Sequence, residues 1–356
     1  MLTIREKEYL VVDGIGFYGA NSFGIRLVDC SNIVIMNCKV SNNGQDGISI
    51  QRMRPELFCR NIRLYRNIVE WNANGIYITG KGDGFKSSGY REAEIIENII
   101  TYTNHKNIWG HNTKDGHAIG IQNSSFCRIE GNRVTDNYSG IALWTSEAYE
   151  SRSNIFTRNF VARNHLYGIV HGANGQNNSH NNTFSFNIIV DNGHWPGKWG
   201  GLRINRRQES GNYYYNNTLS NNDINIYLYS FPDFHIVKNN ISLNPVKYHA
   251  WLDDSAGRNN VIDNNCYYPA GTDAFYSKAT NETTFMEWKH RTAQDTKSIV
   301  SNPLFKMTKP LNPQDFCLTA NSPCIGRATR EGLDLSKDYL GNRSKDLGAC
   351  GFPTHQ

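Results

Sequence analysis

The chain has 356 residues and a formal net charge of +5, and only 19% of its residues are charged. No cluster of Lys and Arg predicts nucleic-acid binding, and no run of about eighteen apolar residues predicts a membrane span. The mild positive charge is compatible with an acidic glycan but does not require one.

A short apolar pattern, Gly-Ile-x-Ile or a close variant, recurs along most of the chain. In each copy two apolar side chains flank one that points the opposite way, which is typical of a strand buried on one face. An internal repeat of this kind indicates a solenoid. The copies are GIRL (24–27), GISI (47–50), GIYI (75–78), AIGI (118–121), GIAL (140–143), GIVH (168–171), GLRI (201–204), NIYL (225–228) and AWLD (250–253).

The second element of the repeat is an asparagine that follows another short apolar run. A side-chain amide at a bend can bond the backbone of that bend and also the amide of the asparagine one turn away. The alternative is a β-sandwich with Asn-rich turns, but the strands of a sandwich rarely share one template. The pattern therefore predicts an all-β, right-handed parallel β-helix of about nine or more turns. The asparagines are Asn67, Asn98, Asn132, Asn159, Asn187, Asn217 and Asn240, with Cys38 at the matching place in an early turn.

The spacing between successive copies varies, which predicts four long loops beside the repeated strand. Two of these loops follow a copy and two precede one, so we expect them to wall a groove across the middle turns. Loops on a rigid scaffold commonly carry binding residues. The four loops are 81–92, 103–116, 171–182 and 191–200.

Side chains that point out of the repeated strand form two columns that should line this groove. The central column is Arg26, Ser49, Tyr77, Gly120, Ala142, Val170, Arg203, Tyr227 and Trp251, and the next is Val28, Gln51, Thr79, Gln122, Trp144, Gly172, Asn205, Tyr229 and Asp253. Aromatic rings can pack against the C–H faces of sugars, while Asn, Gln, Arg and Asp bind hydroxyl groups. The predicted substrate-binding residues are Tyr77, Gln122, Trp144, Trp199, Arg203, Tyr227, Tyr229, Trp251 and Asp253.

The last part of the chain, beyond the repeats, resembles a tail that is common on bacterial extracellular β-helix proteins. The matching stretches are Asn302-Pro-Leu-Phe, Asp315-Phe-Cys-Leu, Ser322-Pro-Cys-Ile-Gly, Asp338-Tyr-Leu-Gly-Asn-Arg and Asp346-Leu-Gly-Ala. We therefore divide the domain into the parallel β-helix at 1–268 and a connector with one short helix and a capping tail at 269–356. The tail should pack over the open end or along the side of the solenoid.

Together the repeats and the tail resemble the right-handed parallel β-helix superfamily, which includes pectate and alginate lyases, polygalacturonases and alginate epimerases. GDGFKSSG (82–89) is similar to the GFKLGG segment that carries the lysine base of one pectate lyase family, and this match implies that Lys86 is a base. NTKDGHAIGIQ (112–122) holds pieces of the polygalacturonase pattern, but no Asp-Asp pair follows it. The epimerase pattern is absent, as is the acidic cluster of a calcium-dependent lyase.

If the chain is an enzyme, a few titratable residues near the groove are the candidates. A glycoside hydrolase needs two carboxyl groups about 5–10 Å apart, and acidic residues do recur near strand ends of neighbouring turns. For each of them, as for His171, local hydrogen bonding at a strand end or in a loop is the favoured explanation. The catalytic candidates are Asp83, Lys86, Asp115, His117 and Glu147.

Eight cysteines are present, and none forms a C-x-x-C pair, so no zinc site is predicted. Free buried thiols and a disulfide in the C-terminal segment both remain open. We expect no metal and no cofactor, except Ca²⁺ if the chain is a lyase.

Two functions remain. The aromatic groove favours a non-catalytic carbohydrate-binding module for a plant cell-wall, xylan-like polysaccharide, similar in kind to β-helix modules found beside xylanases. The alternative is a polysaccharide lyase or glycoside hydrolase that acts on a plant or algal polysaccharide. We expect a secreted or cell-surface monomer that binds no nucleic acid and no membrane. Because the sequence begins almost inside a strand, we also expect a leader or a catalytic domain beside it in a longer protein.

Overall fold

The chain winds through three parallel β-sheets, and most turns contribute one strand to each sheet. This is the right-handed parallel β-helix that the repeats predict. The computed structural model describes residues 1–54, 59–80, 91–104, 116–146, 149–173, 179–194, 200–205, 211–229, 234–252, 259–278, 281–343 and 345–352.

Sheet A contains the repeated Gly-Ile-x-Ile strands. Its strands pair in parallel, except that the last strand is antiparallel to its neighbour. In order they are β1 (Leu2–Arg5), β4 (Ile25–Val28), β7 (Asp46–Arg52), β10 (Asn74–Gly80), β13 (His117–Gln122), β16 (Ser139–Thr145), β20 (Ile169–Ala173), β24 (Gly200–Asn205), β27 (Ile224–Tyr229), β30 (Tyr248–Leu252), β33 (Phe275–Ser277) and β34 (Asn281–Thr283).

Sheets B and C form the other two faces of the solenoid. Sheet B consists of β2 (Glu8–Asp13), β5 (Ser31–Met36), β8 (Ile62–Tyr65), β11 (Glu94–Ile96), β14 (Arg128–Glu130), β18 (Ile155–Thr157), β22 (Thr183–Ser185), β25 (Tyr213–Tyr215), β28 (Ile236–Lys238) and β31 (Val261–Asp263). Sheet C consists of β3 (Gly16–Tyr18), β6 (Lys39–Ser41), β9 (Ile68–Glu70), β12 (Ile99–Thr101), β15 (Arg133–Thr135), β19 (Phe160–Ala162), β23 (Ile188–Val190), β26 (Thr218–Ser220), β29 (Ile241–Leu243), β32 (Cys266–Tyr268) and β35 (Ile299–Val300). A short pair, β17 (Ser151–Arg152) and β21 (Ser179–His180), completes the strands.

The register of sheet A confirms the two outward columns. Arg26 lies opposite Ser49, and the pairing continues through the central column to Trp251. The second column is confirmed from Val28 to Tyr229. The alternate side chains point inward and form one continuous apolar core along the solenoid. An outward residue is thus separated by about 4.8 Å from its neighbour in the next turn.

Asparagine side chains form the predicted ladder at the corner between sheets B and C. Each amide donates to the side-chain oxygen of the asparagine one turn further on, with N···O distances of 2.9–3.1 Å. Cys38 takes the matching place in an early turn, where its backbone N–H donates to Asn67 at 3.0 Å. The ladder comprises Asn67, Asn98, Asn132, Asn159, Asn187, Asn217, Asn240 and Asn265.

Two further ladders occupy the other corners, five residues before and five residues after the first. The corner between sheets C and A stacks Asn43, Asn72, Thr103, Asn137, Asn164, Asn192 and Asn222. The corner before sheet B stacks Cys127, Asn154, Asn182 and Asn212, and then His235 and Asn260. Neither of these ladders was predicted from the repeats, although the spacing of five residues is visible in the sequence.

The C-terminal segment covers both the end and one side of the solenoid. The predicted short helix is α1 (Phe285–Thr292), in which the buried Trp288 joins the end of the core. A 3-10 helix (Pro313–Phe316) follows. None of the helices in the described part of the chain is long and apolar enough to cross a membrane.

The tail itself runs along the side of the solenoid at the corner between sheets B and C. Asn216 donates to the carbonyl of Asp346 at 2.8 Å, and Asn264 donates to that of Arg327 at 2.7 Å. Cys317 and Cys350 form a disulfide inside the tail, as one of the two predictions for the cysteines has it. The other prediction, buried thiols, applies to the remaining cysteines. The other cysteines are buried and lie outside any disulfide, namely Cys30, Cys38, Cys59, Cys127, Cys266 and Cys324.

Among the described residues, three histidines are buried in the solenoid. His171, which we expected at a strand end or in a loop, lies in β20 and points inward, because it occupies the inward position of its Gly-Ile-x-Ile copy. Its ring nitrogens hydrogen bond to the hydroxyls of Tyr214 and Ser179. Burial lowers the pKa of His171, that of His235 to about 3 and that of His249 to about 4, because the interior disfavours the charged form.

The asparagine ladder predicts a large loss of stability when a middle member is removed. Asn159 donates to the Ile129 carbonyl and to Asn187, and its oxygen accepts from the backbone N–H of Asn132. Asn159→Ala leaves these buried groups without partners, so we expect a loss of about 2–5 kcal/mol in urea unfolding followed by circular dichroism. Asn21→Ala, which removes an exposed amide, is the control. A loss no larger than that of the control would contradict the structural role of the ladder.

The buried histidines predict that stability falls as the solution becomes acidic. Below the ordinary histidine pKa of 6.5, His235 is protonated in the unfolded chain. In the folded chain it stays neutral down to about pH 3. Each such histidine therefore costs about 1.4 kcal/mol per pH unit in this window. His235→Asn, which places an asparagine in the ladder, should flatten the pH profile of unfolding between pH 6 and 4, whereas exposed His290→Asn should leave the slope unchanged. Parallel profiles for the wild type and His235→Asn would refute this account.

Candidate functional site

A cavity of about 400 Å³ lies on the outer face of sheet A, across strands β10, β13, β16, β20 and β24. Four of the predicted substrate-binding residues line it, namely Tyr77, Gln122, Trp144 and Arg203. The structure therefore brings together residues from turns that are far apart in sequence. The full lining among the described residues is Tyr77, His117, Gly120, Ile121, Gln122, Ala142, Trp144, Leu166, Tyr167, Val170, Arg203 and Asn205.

The floor of the cavity is made of small outward residues, as the central column predicts. Gly120, Ala142 and Val170 lie opposite one another in successive strands. A Cβ atom at Gly120 would overlap the ring of Tyr77, and one at Gly172 would overlap the indole of Trp144. Each ring therefore leans over a glycine of the following turn. With the rings in these positions, neither glycine position has room for a Cβ atom.

A histidine and a tyrosine form the wall at the beginning of the sheet A strands. The hydroxyl of Tyr167 and Nδ1 of His117 are 3.0 Å apart, which is a hydrogen bond. The His117 ring is also nearly parallel to that of Tyr77, with centroids 6.4 Å apart. Tyr167 lies one residue before the repeated Gly168, so the repeat pattern did not single it out. Both groups face a space that is large enough for a ligand.

Gln122 forms part of the opposite wall of the cavity, at the ends of the same strands. Its side-chain oxygen accepts hydrogen bonds from Tyr77 and Thr79, both at 3.2 Å. Its amide donates to Ser146 at 3.3 Å. These contacts bind the strand ends of three consecutive turns to one another. The Gln122 side chain is thus fixed in orientation before any ligand arrives.

Arg203 closes the cavity on the C-terminal side. Its guanidinium carbon lies 4.7 Å from the ring centroid of Tyr229 and 5.3 Å from that of Tyr227. These are cation–π contacts, and they restrict the positions that the long side chain can adopt. Arg203 is the one permanently charged side chain among the described residues that line the cavity.

Tyr227 and Trp251, which we also predicted to bind substrate, do not line the cavity. Tyr227 is 2% exposed and Trp251 is 5% exposed. The Trp251 ring packs against Tyr276 and Tyr248, with centroids 4.0 and 5.2 Å away. Tyr229 is half-buried beside Arg203. A role for these three side chains in binding therefore stays a prediction.

Several predicted site residues lie outside the described residues. They are Asp83, Lys86, Asp115, Glu147, Trp199 and Asp253, together with most of the four predicted loops. His117 is the one catalytic candidate that the structure places. Among the described residues, no group of three or more His, Cys, Asp or Glu side chains is arranged to hold a metal ion.

Comparisons with known proteins agree with this architecture. A family model described as right handed beta helix region matches residues 2–88. Among solved structures, the chain is similar to pectate lyase Pel9A, with 12% identity over 98% of this chain and 97% of that chain and a TM-score of 0.53. The chain has a right-handed parallel β-helix fold. No curated protein sequence matches it.

Two further structures are similar to this β-helix over part of their own length. A protein described as XylC in complex with xylose shares 13% identity, with 84% of this chain and 54% of that chain covered and a TM-score of 0.49. An alginate lyase of the PL6 family shares 11% identity, with 100% of this chain and 56% of that chain covered and a TM-score of 0.42. The likeness to Pel9A, at 12% identity, shows the fold alone.

Proposed function

We propose that this β-helix binds a polysaccharide, with sugar rings in the cavity on sheet A. The observation that carries the proposal is the pair of aromatic rings, Tyr77 and Trp144, which lie over glycines and line a cavity with a small apolar floor. An apolar C–H face of a sugar can pack on such a ring at little cost in conformational entropy, because the ring is already in place.

Polar groups around the same cavity match the other face of a sugar. Gln122, Asn205 and His117 provide amide and imidazole groups at the walls, and Arg203 provides a cation at one end. A ligand pocket of this kind combines an apolar surface with a few convergent polar groups that fix the orientation of the ligand. The volume of about 400 Å³ falls within the range of pockets for small ligands, about 300–1,000 Å³.

The proposed ligand class is a plant cell-wall polysaccharide of the xylan type. The similar structure with a TM-score of 0.53 is a pectate lyase, which supports a polysaccharide ligand without choosing between pectate and xylan. We further propose that the protein acts as a secreted or cell-surface monomer beside a catalytic domain and needs no metal for binding.

Replacing Trp144 tests the binding site directly. Trp144→Ala removes one aromatic face, so we expect glycan affinity to weaken by about 1–3 kcal/mol. Isothermal titration calorimetry with soluble xylan, pectate, alginate and β-glucan measures this change, and far-ultraviolet circular dichroism checks the fold. The control is Trp71→Ala, which removes a half-buried tryptophan that is stacked on Tyr102 and is not among the residues that line the cavity. Equal affinities for both variants and the wild type would place the site elsewhere.

A lyase is the second candidate function, and one observation favours it. The hydrogen-bonded Tyr167 and His117 side chains lie in the cavity, and a phenol that can pass its proton to an imidazole is suited to acid–base chemistry. In such a reaction the C5 proton of a uronate moves to the Tyr167 oxygen, while the phenolic proton moves to His117. The C4–O bond then breaks, its electron pair and a proton from solvent complete the leaving hydroxyl, and a C4=C5 double bond forms.

Removing the phenolic hydroxyl separates the two functions. If the chain is a lyase, Tyr167→Phe lowers the rate of release of unsaturated uronate by about 10²–10⁴, because it removes the group that transfers the proton. Ultraviolet absorbance of the unsaturated product measures this rate on pectate, alginate and glucuronoxylan. Tyr138→Phe, a neighbouring tyrosine outside the cavity lining, is the control. If the wild-type protein binds glycan and releases no product, the lyase proposal is wrong and only the binding function remains.

A further inference from the structure

We propose that Cys266 and Cys324 form a second disulfide, which joins the C-terminal tail covalently to the β-helix. The structure shows both cysteines as thiols. The proposal makes them a site of oxidative modification, and it does not depend on what the cavity of sheet A binds. Three features support it: the place of Cys266 under the tail, the contact between the two thiols, and the different contacts of other buried thiols.

The position of Cys266 in sheet C places it under the tail. Cys266 pairs in register with Ile241 of the preceding turn, and the same outward position in earlier turns holds Ile68 and Ile99. Those two isoleucines are 37% and 42% exposed, whereas Cys266 is fully buried. The difference arises because side chains of the tail pack over this end of the column. Cys266 is thus a solenoid residue at the surface that the tail covers.

Cys324 approaches Cys266 from the tail. Both cysteines belong to one small cluster of buried apolar side chains, and neither is exposed to solvent. The backbone N–H of Leu347 donates to the carbonyl of Cys324 at 3.1 Å, and the N–H of Cys324 donates to the hydroxyl of Ser322 at 3.2 Å. These bonds hold the backbone of Cys324 in place over sheet C.

The side chains of the two cysteines contact each other. A hydrogen bond between them is the largest cause that raises the pKa of Cys266, and burial adds to it. The Cys266 thiol also donates to the carbonyl of Ser301 at 3.2 Å, which orients its sulfur. Disulfide formation requires two cysteine side chains that point towards each other. A pair of thiols joined by a hydrogen bond meets this condition.

Other buried thiols of the solenoid make a different kind of contact. The thiols of Cys30, Cys38 and Cys127 donate to backbone carbonyls two residues before them. The contact between Cys266 and Cys324 instead joins two elements that are 58 residues apart in the chain. A disulfide that closes a loop of this length restricts the unfolded chain and stabilises the fold.

The bond forms by thiol–disulfide exchange with an oxidant that is itself a disulfide. One cysteine thiolate attacks this disulfide and displaces one of its sulfurs. The second cysteine thiolate then attacks the mixed disulfide and displaces the other sulfur. The two cysteines give up two electrons and two protons, and the oxidant leaves as two thiols. An environment that oxidises Cys317 and Cys350 supplies the same oxidant.

Burial determines when the exchange takes place. Both sulfurs are inaccessible in the folded chain, and the raised pKa of Cys266 disfavours the reactive thiolate there. The exchange therefore occurs while the tail packs onto sheet C. Once it is formed, the bond is shielded from reductants by the same packing.

The experiment maps the disulfides of the full chain after production in an oxidising bacterial periplasm. Thiols are blocked with N-ethylmaleimide in denaturant, and the chain is then digested with trypsin without reduction. The variants are Cys266→Ser and Cys324→Ser, and the control is Cys127→Ser, which removes a buried thiol of the solenoid. Trypsin releases the relevant cysteines in three peptides, which are 259–278 with Cys266, 307–327 with Cys317 and Cys324, and 346–356 with Cys350.

We expect the wild type to yield one product in which all three peptides are linked. Six cysteines lie outside the disulfide in the structure, so a second disulfide should leave four that carry the blocking group in the intact mass. In Cys266→Ser and in Cys324→Ser, peptide 259–278 should separate while the other two peptides stay joined. Cys127→Ser should retain the triple link.

A thermal measurement tests whether the bond fastens the tail. Reduction should lower the Tm of the wild type by about 3–8 °C more than it lowers that of Cys266→Ser, because only the wild type loses the second disulfide. Differential scanning calorimetry measures both shifts. Each protein is compared with itself before and after reduction, so a packing defect caused by the serine does not produce this difference.

Three results would overturn the inference. The first is a wild type in which Cys266 carries the blocking group and peptide 259–278 runs alone. The second is release of peptide 346–356, and not of 259–278, from Cys324→Ser, because this would show that Cys324 pairs with Cys350. The third is an equal fall in Tm on reduction for the wild type and Cys266→Ser, because this would show that no bond fastens the tail to the solenoid.

Discussion

The structure depends on the stacking of backbone turns at a fixed corner, which the asparagine ladders enforce. Ladder positions occur five residues before and five residues after the central asparagine, as in Asn154, Asn159 and Asn164. Because each amide must meet the amide of the next turn at about 3 Å, the chain between these positions cannot change in length. The segment that passes through sheet A, from the ladder between sheets C and A to the ladder before sheet B, has no such constraint. Its length varies from 24 residues between positions 103 and 127 to only 13 between positions 222 and 235. Insertions therefore collect around sheet A, and this is the physical reason that the cavity lies there.

The same stacking explains how distant residues form one rigid site. Outward side chains of successive sheet A strands stand in line, so Tyr77, Gly120 and Ala142 are neighbours although the first and last are separated by 65 residues. A large ring in one turn leans over the next turn only where that turn offers a glycine, which is the arrangement of Tyr77 over Gly120 and of Trp144 over Gly172. The shape of the cavity thus follows from the alternation of large and small residues along the outward columns of sheet A. It does not require a mobile element.

Features that repeat were predictable from the sequence, and features that depend on lateral packing were not. The Gly-Ile-x-Ile pattern predicted the register of both columns, since the period of two assigns each residue to a face. It could not predict that Trp251 is buried, because Tyr276, which covers it, lies beyond the recognised repeats. Tyr167 was missed because it stands one residue outside the pattern, and its importance comes from a contact with His117 across 50 residues of chain. His171 was misplaced because its polarity outweighed its inward position in the pattern. The Cys317–Cys350 disulfide joins parts of a tail without repeats, so no periodicity could assign it.

A solenoid held in this way is a poor candidate for induced fit, and this limits how its cavity can work. Moving a sheet A strand would break backbone pairing with the strands on both sides, so affinity has to come from a surface that already has its final form. Gln122 is fixed by Tyr77, Thr79 and Ser146, and Arg203 is fixed by two tyrosine faces. Preorganised polar groups favour recognition, and they equally favour catalysis wherever charge develops in a transition state. The difference between the two functions then lies in whether the Tyr167–His117 pair meets a proton that is acidic enough to transfer. The carboxyl group of a uronate acidifies the adjacent C–H, whereas a neutral xylose offers no such proton. The chemistry of the ligand, more than any change in the protein, therefore decides between binding and turnover.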